Sequence, residues 1–493
     1  MRIGTNVAAI VANNALQKSQ NNLSTSIERL SSGYKINGSK DDAAGCAISE
    51  KMRAQIRGLS QAQNNTADGV SVLNTAEGAI TEIQSMLTRL KELSVQAAND
   101  VNSDDEREAI QKEIEQINNE IDRISDQTEF NTQSLINGNL SRRVYSDLQG
   151  VNQLSVSDSY TAGVYGITVT EDARQAIAIG AGSITMSSTA SITEEQAGAI
   201  NINGYKISIS EGDTLDKVMG KIIDGVNITG GSAFTVKDLN NDTAANGTDY
   251  AGYVPTADYA GSTLVIMTNQ YGSDQKMNIT CDNAELADIL GIPQAATQDG
   301  IYVEGSDVKA EIATGDDGKR IGFADSAILS TKGTVITVTD VNNKEFSMDV
   351  PGNAAGTVFD DSNNDGQSVA GAGTARTISQ EVTDVGTMSI HVGANQDQVI
   401  VIDIPAITTY SLGTEHMNVM TQYTASRAIS TVDEAINKTN KIRSRIGAYE
   451  NRFDHTTNNL EVSSENLTKS LSTMIDTDMS EEMTTYTLSL IHI

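Results

Sequence analysis

Few residues of this 493-residue chain have the type and spacing that covalent or metal chemistry needs. The sequence holds two Cys, Cys46 and Cys281, and four His. A zinc-protease site requires His-Glu-x-x-His, whereas Glu415-His416 is an isolated pair. Cys46 lies in an Ala/Gly-rich segment, which favours a small buried hydrophobic residue over a nucleophile. We therefore predict no catalytic residue, no metal site and no cofactor, and we predict that the protein is not an enzyme.

One segment has half of the ligand spacing of a calcium-binding loop. Asp361, Asn363 and Asp365 occupy its first, third and fifth positions, and Gly366 occupies the sixth. The twelfth position should hold a bidentate Glu, but Ala372 stands there. We interpret the segment as an exposed loop rich in Asp, Asn and Gly, with calcium binding as the alternative.

Net charge and composition exclude several classes of function. The chain has 34 Lys and Arg against 65 Asp and Glu, a formal charge of −31. Such a chain cannot neutralise nucleic-acid phosphates, and it is repelled by an anionic membrane surface. No window approaches the roughly 18 apolar residues of a membrane span, and residues 1–30 lack the pattern of a cleavable signal peptide. The protein is therefore either cytoplasmic or exported by a route that uses no cleaved signal.

The distribution of Pro and of β-branched residues divides the chain into three parts. All four Pro lie between residues 255 and 405, so both ends are free to form long helices. Short β-branched runs with turn residues between them predict strands at 166–170, 205–210, 262–267 and 334–339. The predicted fold class is α+β: long paired N- and C-terminal helices form a helical bundle or coiled-coil core, and a mostly-β variable domain is inserted between them.

Three segments carry apolar heptads. Alternating spacings of three and four place such residues on one helix face, which must pack against a partner helix. The predicted helix-pairing core is Leu73, Ile80, Ile83, Leu87 and Leu90 in the first segment, Ile110, Ile114, Ile117, Ile121 and Ile124 in the second, and Ile446, Phe453, Leu460 and Leu467 in the third. The simplest interpretation of these heptads is an ordinary core within one chain, in which the first and last thirds of the chain pair with each other.

Two further signals concern helix ends and the extreme N-terminus. Ser103-Asp-Asp-Glu106 has the capping-box pattern, which predicts that a helix begins there. Residues 13–32 have a weaker amphipathic helical pattern and are rich in Asn, Gln and Ser. On its own, such a segment buries too few apolar side chains to compensate for the conformational entropy that it loses on folding. We therefore expect it to fold when it docks onto a partner.

Several long strings resemble bacterial flagellins. They are LSSGYKINGSKDDAAG (30–45), QNNTADGVSVLNTAEG (63–78), LSVQAAN (93–99), FNTQSLING (130–138), RIGAYENRFDH (445–455) and NLTKSLSTMIDTDMSEE (466–482). They occur at both ends of the chain and in the order of the family, so together they are a much stronger signal than one short motif.

This resemblance implies a structural subunit of the bacterial flagellar filament that self-assembles through its paired terminal helices and serves motility. It implies an extracellular location, reached by flagellar export without a cleaved signal. The implied partners are other flagellin subunits in a homopolymer, the export apparatus, and junction and cap proteins. Two alternatives stay open: a hook–filament junction protein of the flagellin-like family, and a secreted adhesin or binding module that uses the β insertion.

The resemblance also implies contact with a vertebrate innate immune receptor, Toll-like receptor 5. The family's contact residues map onto Arg89, Leu93 and Glu113. These residues lie beside the heptad columns, so we expect them to face outward in a monomer. The alternative is an ordinary solvated helix face.

The resemblance predicts five segments along the chain. They are a polymerisation helix (1–40), the N-terminal part of a helical core (41–148), a variable β-rich surface domain (149–385), the C-terminal part of the core (386–487) and a tail outside the family pattern (488–493). Because the last six residues do not resemble the family's ending, we expect a truncated C-terminal end without a partner for the N-terminal helix, with a divergent form that does not polymerise as the alternative. Poor filament assembly and disorder around residues 1–40 would follow.

Overall fold

A computed structural model describes residues 6–157, 160–180, 182–236, 259, 261–292, 300–315, 318–340, 344–352, 359–360, 369–370, 375–383 and 385–492. Two compact units are present. The first unit comprises Met1–Asn74, Ser389–Ile402 and Ile446–Ile493, and the second unit comprises Thr75–Met388 and Asp403–Arg445. The five-segment division predicted from the sequence cuts the chain at other places and stays a prediction. The Asp361–Gly366 loop lies outside the described residues.

The helices dominate both ends of the chain, as the absence of Pro there predicts. They are α1 (Val7–Ser32), α2 (Ala43–Ala97), α3 (Asp104–Gln127), α4 (Leu215–Ile228), α5 (Ala284–Ile289), α6 (Thr409–Leu412), α7 (Gln422–Ile475) and α8 (Met479–His492). The capping box is confirmed: the Ser103 hydroxyl accepts a hydrogen bond from the Glu106 amide, and the Glu106 carboxylate accepts one from the Ser103 amide. The backbone amides of the N-cap residue Ser103 and of Glu106 thereby gain partners.

The strands of the described chain are short, and all of them lie between α3 and α6. They are β1 (Glu129–Phe130), β2 (Gln133–Ser134), β3 (Val144–Ser146), β4 (Asn152–Val156), β5 (Gly163–Glu171), β6 (Ile177–Ile179), β7 (Gly198–Ile202), β8 (Tyr205–Ile209), β9 (Gly231–Val236), β10 (Thr263–Thr268), β11 (Lys276–Cys281), β12 (Ile301–Glu304), β13 (Lys309–Ile312), β14 (Ile328–Lys332), β15 (Val335–Thr339), β16 (Glu345–Asp349), β17 (Phe359–Asp360), β18 (Val369–Ala370), β19 (Arg376–Val382), β20 (Met388–His391) and β21 (Val399–Ile402). The four predicted runs correspond to β5, β8, β10 and β15.

Antiparallel sheets build the β insertion of the second unit. The larger ones have the strand orders β12-β11-β7-β8, β13-β5-β19-β3 and β14-β15-β16-β4, and a three-stranded sheet has the order β6-β10-β9. α4 packs its buried face, which includes Val218, Met219 and Ile222, into the same apolar core as strands β7 and β8. The α+β class predicted from the sequence is confirmed.

A cluster of aromatic rings forms the centre of the other β core. Tyr160, Tyr165, Phe323 and Phe346 contact one another with ring centroids 5.1–6.1 Å apart, mostly edge to face. Edge-to-face contacts between rings add to the gain from apolar burial. The overall scarcity of aromatic residues gave no sign of this concentration, because composition carries no information about position.

The N-terminal helix has a helical partner in the first unit, contrary to our expectation. The Arg29 guanidinium lies 3.5 Å from the Glu482 carboxylate, and Tyr34 forms an antiparallel bridge with Asp476. The Asp478 carboxylate, which accepts a hydrogen bond from the Ser480 amide at 2.8 Å, caps the start of α8. The predicted disorder around residues 1–40 and the predicted lack of a partner are therefore wrong for Val7–Ser32, and the poor assembly inferred from them loses its basis.

This pairing covers only part of α1. The two contacts show that α1 and α8 run antiparallel, and α8 has 14 residues against the 26 of α1. At 1.5 Å per residue, α8 accompanies only the half of α1 that includes Arg29. In the other half, Val7, Ile10 and Val11 are exposed.

Candidate functional site

The candidate site is the set of helix faces through which the terminal segments pack. In the first unit, Phe453 of α7 is fully buried and lies against Gly69 of α2. A Cβ atom at Gly69 would lie 3.0 Å from the Phe453 ring, so only glycine permits this approach without a shift of the ring. Leu59, Ala62 and Leu460 form an adjoining apolar cluster, and the half-buried Leu467 packs against it. Leu73 and Ile446 are also buried.

In the second unit, the predicted stripe on α2 is completely buried. Ile80, Ile83, Leu87 and Leu90 expose none of their surface. Polar pairs beside the stripe link α2 to α7: Glu77 with Arg443 at 3.2 Å, Gln84 with Asn440 at 3.1 Å and Lys91 with Asp433 at 2.5 Å. Residue numbers rise along α2 as they fall along α7, so the two helices pack antiparallel. Exposed ion pairs contribute little free energy, so these pairs fix the register while the apolar stripe stabilises the packing.

The stripe on α3 departs from the strict heptad. Ile110, Ile114 and Ile121 are buried, whereas Ile117 and Ile124 are only half-buried. Asn118 and Ser125 take the buried positions instead, and the Asn118 amide donates a hydrogen bond to the Thr414 carbonyl at 2.8 Å. An α-helix has 3.6 residues per turn, so it drifts by about 20° per heptad. Because of that drift, Asn118 and Ser125 face the core in place of Ile117 and Ile124, which they follow by one residue.

The candidate receptor contacts do not form one outward surface. Arg89 and Glu113 are about half exposed and form an ion pair between α2 and α3 at 2.8 Å. Hydrogen bonds to Glu113 and Glu92 raise the pKa of the Arg89 guanidinium. Leu93 is only 1% exposed, so its predicted outward orientation is wrong. It follows Leu90 by three residues, and that spacing extends the buried stripe.

The two Cys side chains and the Glu415-His416 pair differ in burial. Cys281 is buried, which raises the pKa of its thiol and disfavours the reactive thiolate. Cys46 is half-buried, and the exposed Glu415 and His416 side chains lie 3.9 Å apart. Within the part of the chain that the structure describes, no group of three His, Cys, Asp or Glu side chains could hold a metal ion. No helix in that part is long and apolar enough to cross a membrane.

Comparison with known proteins gives the same assignment from both ends of the chain. Residues 3–141 match the family model described as the bacterial flagellin N-terminal helical region. Residues 429–493 match the bacterial flagellin C-terminal helical region. The second match includes 488–493, the six residues that we expected to lie outside the family pattern.

Full-length relatives align over nearly the whole chain. Flagellin of Salmonella typhimurium is 30% identical over 98% of this chain and 93% of its own length. Polar flagellin A of Vibrio parahaemolyticus is 28% identical over 100% of this chain and 93% of its own length. Among solved structures, the flagellar junction protein FlgL from Legionella pneumophila aligns with 82% of this chain and 99% of its own at 12% identity, and the TM-score of 0.26 carries no functional argument. The chain belongs to the bacterial flagellin family.

Proposed function

We propose that this chain is a structural subunit of the extracellular flagellar filament and that copies assemble through their terminal helices. Family membership supports the role, and one structural observation supports the mode of assembly. α1 and α8 pair, yet they leave large apolar side chains exposed: Val7, Ile10, Val11, Leu16 and Ile27 on α1, and Met479, Met483, Leu488, Leu490 and Ile491 on α8. Monomeric soluble proteins rarely expose apolar side chains in such concentration.

The exposed side chains fit contact with another copy of the chain. Fully burying one Val, Leu or Ile side chain contributes about 1.5–3 kcal/mol, so several of them can drive association. A head-to-tail contact that does not close on itself produces an open helical polymer. The buried seam between α2 and α7 would then hold each subunit together while α1 and α8 connect it to its neighbours.

Assembly of the purified full chain tests this proposal. We expect salt-induced or seeded polymerisation to give long regular filaments in negative-stain electron microscopy. Pelleting in an ultracentrifuge should show a critical concentration, below which the chain stays monomeric. A chain that remains monomeric at high concentration, with α-helical circular dichroism intact, would contradict the proposal.

The wider partners belong to the same proposal. As a filament subunit, the chain would pass through the flagellar export apparatus and meet junction and cap proteins at the filament ends. We further propose that the α2–α3 surface around Arg89 and Glu113 contacts Toll-like receptor 5, with Leu93 supporting that surface from beneath. The exposed ion pair between the two helices supports the first part, and the burial of Leu93 supports the second.

The receptor proposal makes a prediction for Arg89→Ala. Loss of the guanidinium removes a charge-assisted contact, which at an interface contributes about 1.5–3 kcal/mol. We expect receptor signalling in a reporter cell line to weaken at least about tenfold. Arg123→Ala is the matched control, because Arg123 is an exposed residue of α3 whose ion pair with Glu120 stays within that helix. Equal potency of the Arg89→Ala and Arg123→Ala proteins would exclude the assigned surface.

A further inference from the structure

A polar cleft lies between the β insertion and α7 within the second unit. Its volume is about 460 Å³, which is in the range of small-molecule sites. One wall comes from the β insertion, from residues between Asn203 and Lys276. The other wall comes from the loop that begins at Gly413 and from the first turns of α7, as far as Thr431. The cleft belongs to the second unit, whereas α1 and α8 belong to the first.

The lining of the cleft differs in charge from the rest of the protein. Among the described residues that line it, none is Asp or Glu, although acidic residues outnumber basic ones 65 to 34 in the chain. Three basic side chains line it, Lys276, His416 and Arg427. Glu304 lies 2.8 Å from the Lys276 ammonium and offsets its charge. Arg427 therefore makes the main contribution to any attraction for an anion.

Arg427 is held in place and retains spare donors. It is half-buried, and its Nη1 donates to the Oε1 atom of Gln275 at 3.1 Å. Gln275 is buried and is itself fixed by a hydrogen bond from its Nε2 to Gln270 at 3.0 Å. A guanidinium has five N–H donors. Within the described chain, this hydrogen bond is the one that the Arg427 guanidinium makes, and the guanidinium forms no ion pair with a carboxylate. A positioned guanidinium with free donors suits a carboxylate, which it can bind at two oxygens.

The other polar groups suit hydroxyls. Six side-chain carboxamides line the cleft: Asn203, Asn227, Asn269, Gln270, Gln275 and Asn418. Asn203, Gln275 and Asn418 already use both amide atoms in hydrogen bonds within the protein. The side-chain NH2 groups of Asn227, Asn269 and Gln270 make no hydrogen bond within the described chain, so they can donate to hydroxyls. Met417 and Ala428 add a small apolar surface against which the C–H face of a sugar ring can pack. We propose that the cleft binds a hydroxylated monocarboxylate the size of a sugar acid, with its carboxylate on Arg427 and its hydroxyls on the carboxamides.

Calorimetric titration of the full chain with sodium D-glucuronate tests this proposal, with D-glucose and sodium acetate as parallel titrants. We expect saturable binding of glucuronate at one site per chain, at least about tenfold tighter than that of glucose or acetate. Arg427→Gln should weaken glucuronate binding at least about tenfold, because a charge-assisted contact is lost. Arg123→Gln, which removes an equal charge far along the sequence on α3, should leave binding unchanged.

A readout on the unaltered protein covers the case in which the Arg427→Gln chain fails to fold. With ¹³C-methyl-labelled methionines, glucuronate should shift the resonance of Met417, which lines the cleft. The resonance of Met348, buried in the separate aromatic core, should not move. No saturable glucuronate heat, equal affinity for acetate or glucose, or a stationary Met417 resonance would each overturn the proposal.

Discussion

Replacing both Val7 and Val11 of α1 by Asp should raise the critical concentration for filament assembly at least about a hundredfold. The two side chains are 66% and 61% exposed in the single chain, so the fold of the monomer does not depend on them. If assembly buries them, the double substitution forfeits roughly 3 kcal/mol of apolar transfer free energy, about two decades in an association constant. Burying two new carboxylates without partners adds to that cost. Ultracentrifugal pelleting across a concentration series measures the effect.

The matched control adds the same charge at polar positions. Asn451→Asp and Asn459→Asp also introduce two carboxylates in the first unit, on α7, and both wild-type residues are exposed. α7 is not one of the two helices whose exposed apolar side chains are assigned to contact with another copy. We expect their critical concentration to stay within a few-fold of wild type. If both double variants raised the critical concentration to a similar degree, charge repulsion rather than lost apolar contact would control assembly.

Phe453→Ala should lower the free energy of unfolding of the helical core by about 3–5 kcal/mol, the range for truncating a buried Phe. Phe453 is fully buried against Gly69, so the substitution leaves a cavity beside α2 in the first unit. Urea unfolding followed by ellipticity at 222 nm measures the change, because most of the helical residues belong to the terminal segments. Val462→Ala on the same helix is the control: Val462 is 57% exposed, and its truncation should cost no more than about 0.5 kcal/mol.

A double-mutant cycle tests the specific contact between Phe453 and Gly69. Gly69→Ala adds a methyl group 3.0 Å from the ring, so it should destabilise the wild-type protein despite the better helix propensity of Ala. In the Phe453→Leu variant the smaller side chain leaves room for the added methyl group. There, Gly69→Ala should lower the free energy of unfolding by less than in the wild-type protein, or should raise it. Strictly additive effects would show that the two residues do not pack against each other.

The sequence was sufficient to predict the helices and the strands because their signals are local. The apolar stripe from Ile80 to Leu90 needed only the heptad spacing, and the start of α3 needed only Ser103 and Glu106. The β-branched run that became β15 needed only its turn residues. In each case the information lies within a few residues along the chain.

The errors have a different origin, because they concern what a residue meets far along the chain. Leu93 was placed outside the heptad column, yet it is buried, since the core around α2 is wider than two positions per heptad. Asn118 replaced Ile117 in the core because the helix drifts against a strict heptad. The partner of α1 was missed because we judged the last six residues to lie outside the family pattern, whereas the family match includes them and the pairing with α8 runs through Arg29 and Glu482. The cleft around Arg427 has no sequence motif, since its walls come from two distant segments, 203–276 and 413–431.

A helical reconstruction of filaments assembled from the purified full chain, by electron cryomicroscopy, tests the central claim most directly. Our account predicts filaments in which Val7, Ile10 and Val11 are buried against a neighbouring copy while α2 and α7 keep their antiparallel packing within each subunit. Filaments in which these three side chains remain exposed to solvent, with subunits joined through the β insertion instead, would contradict it.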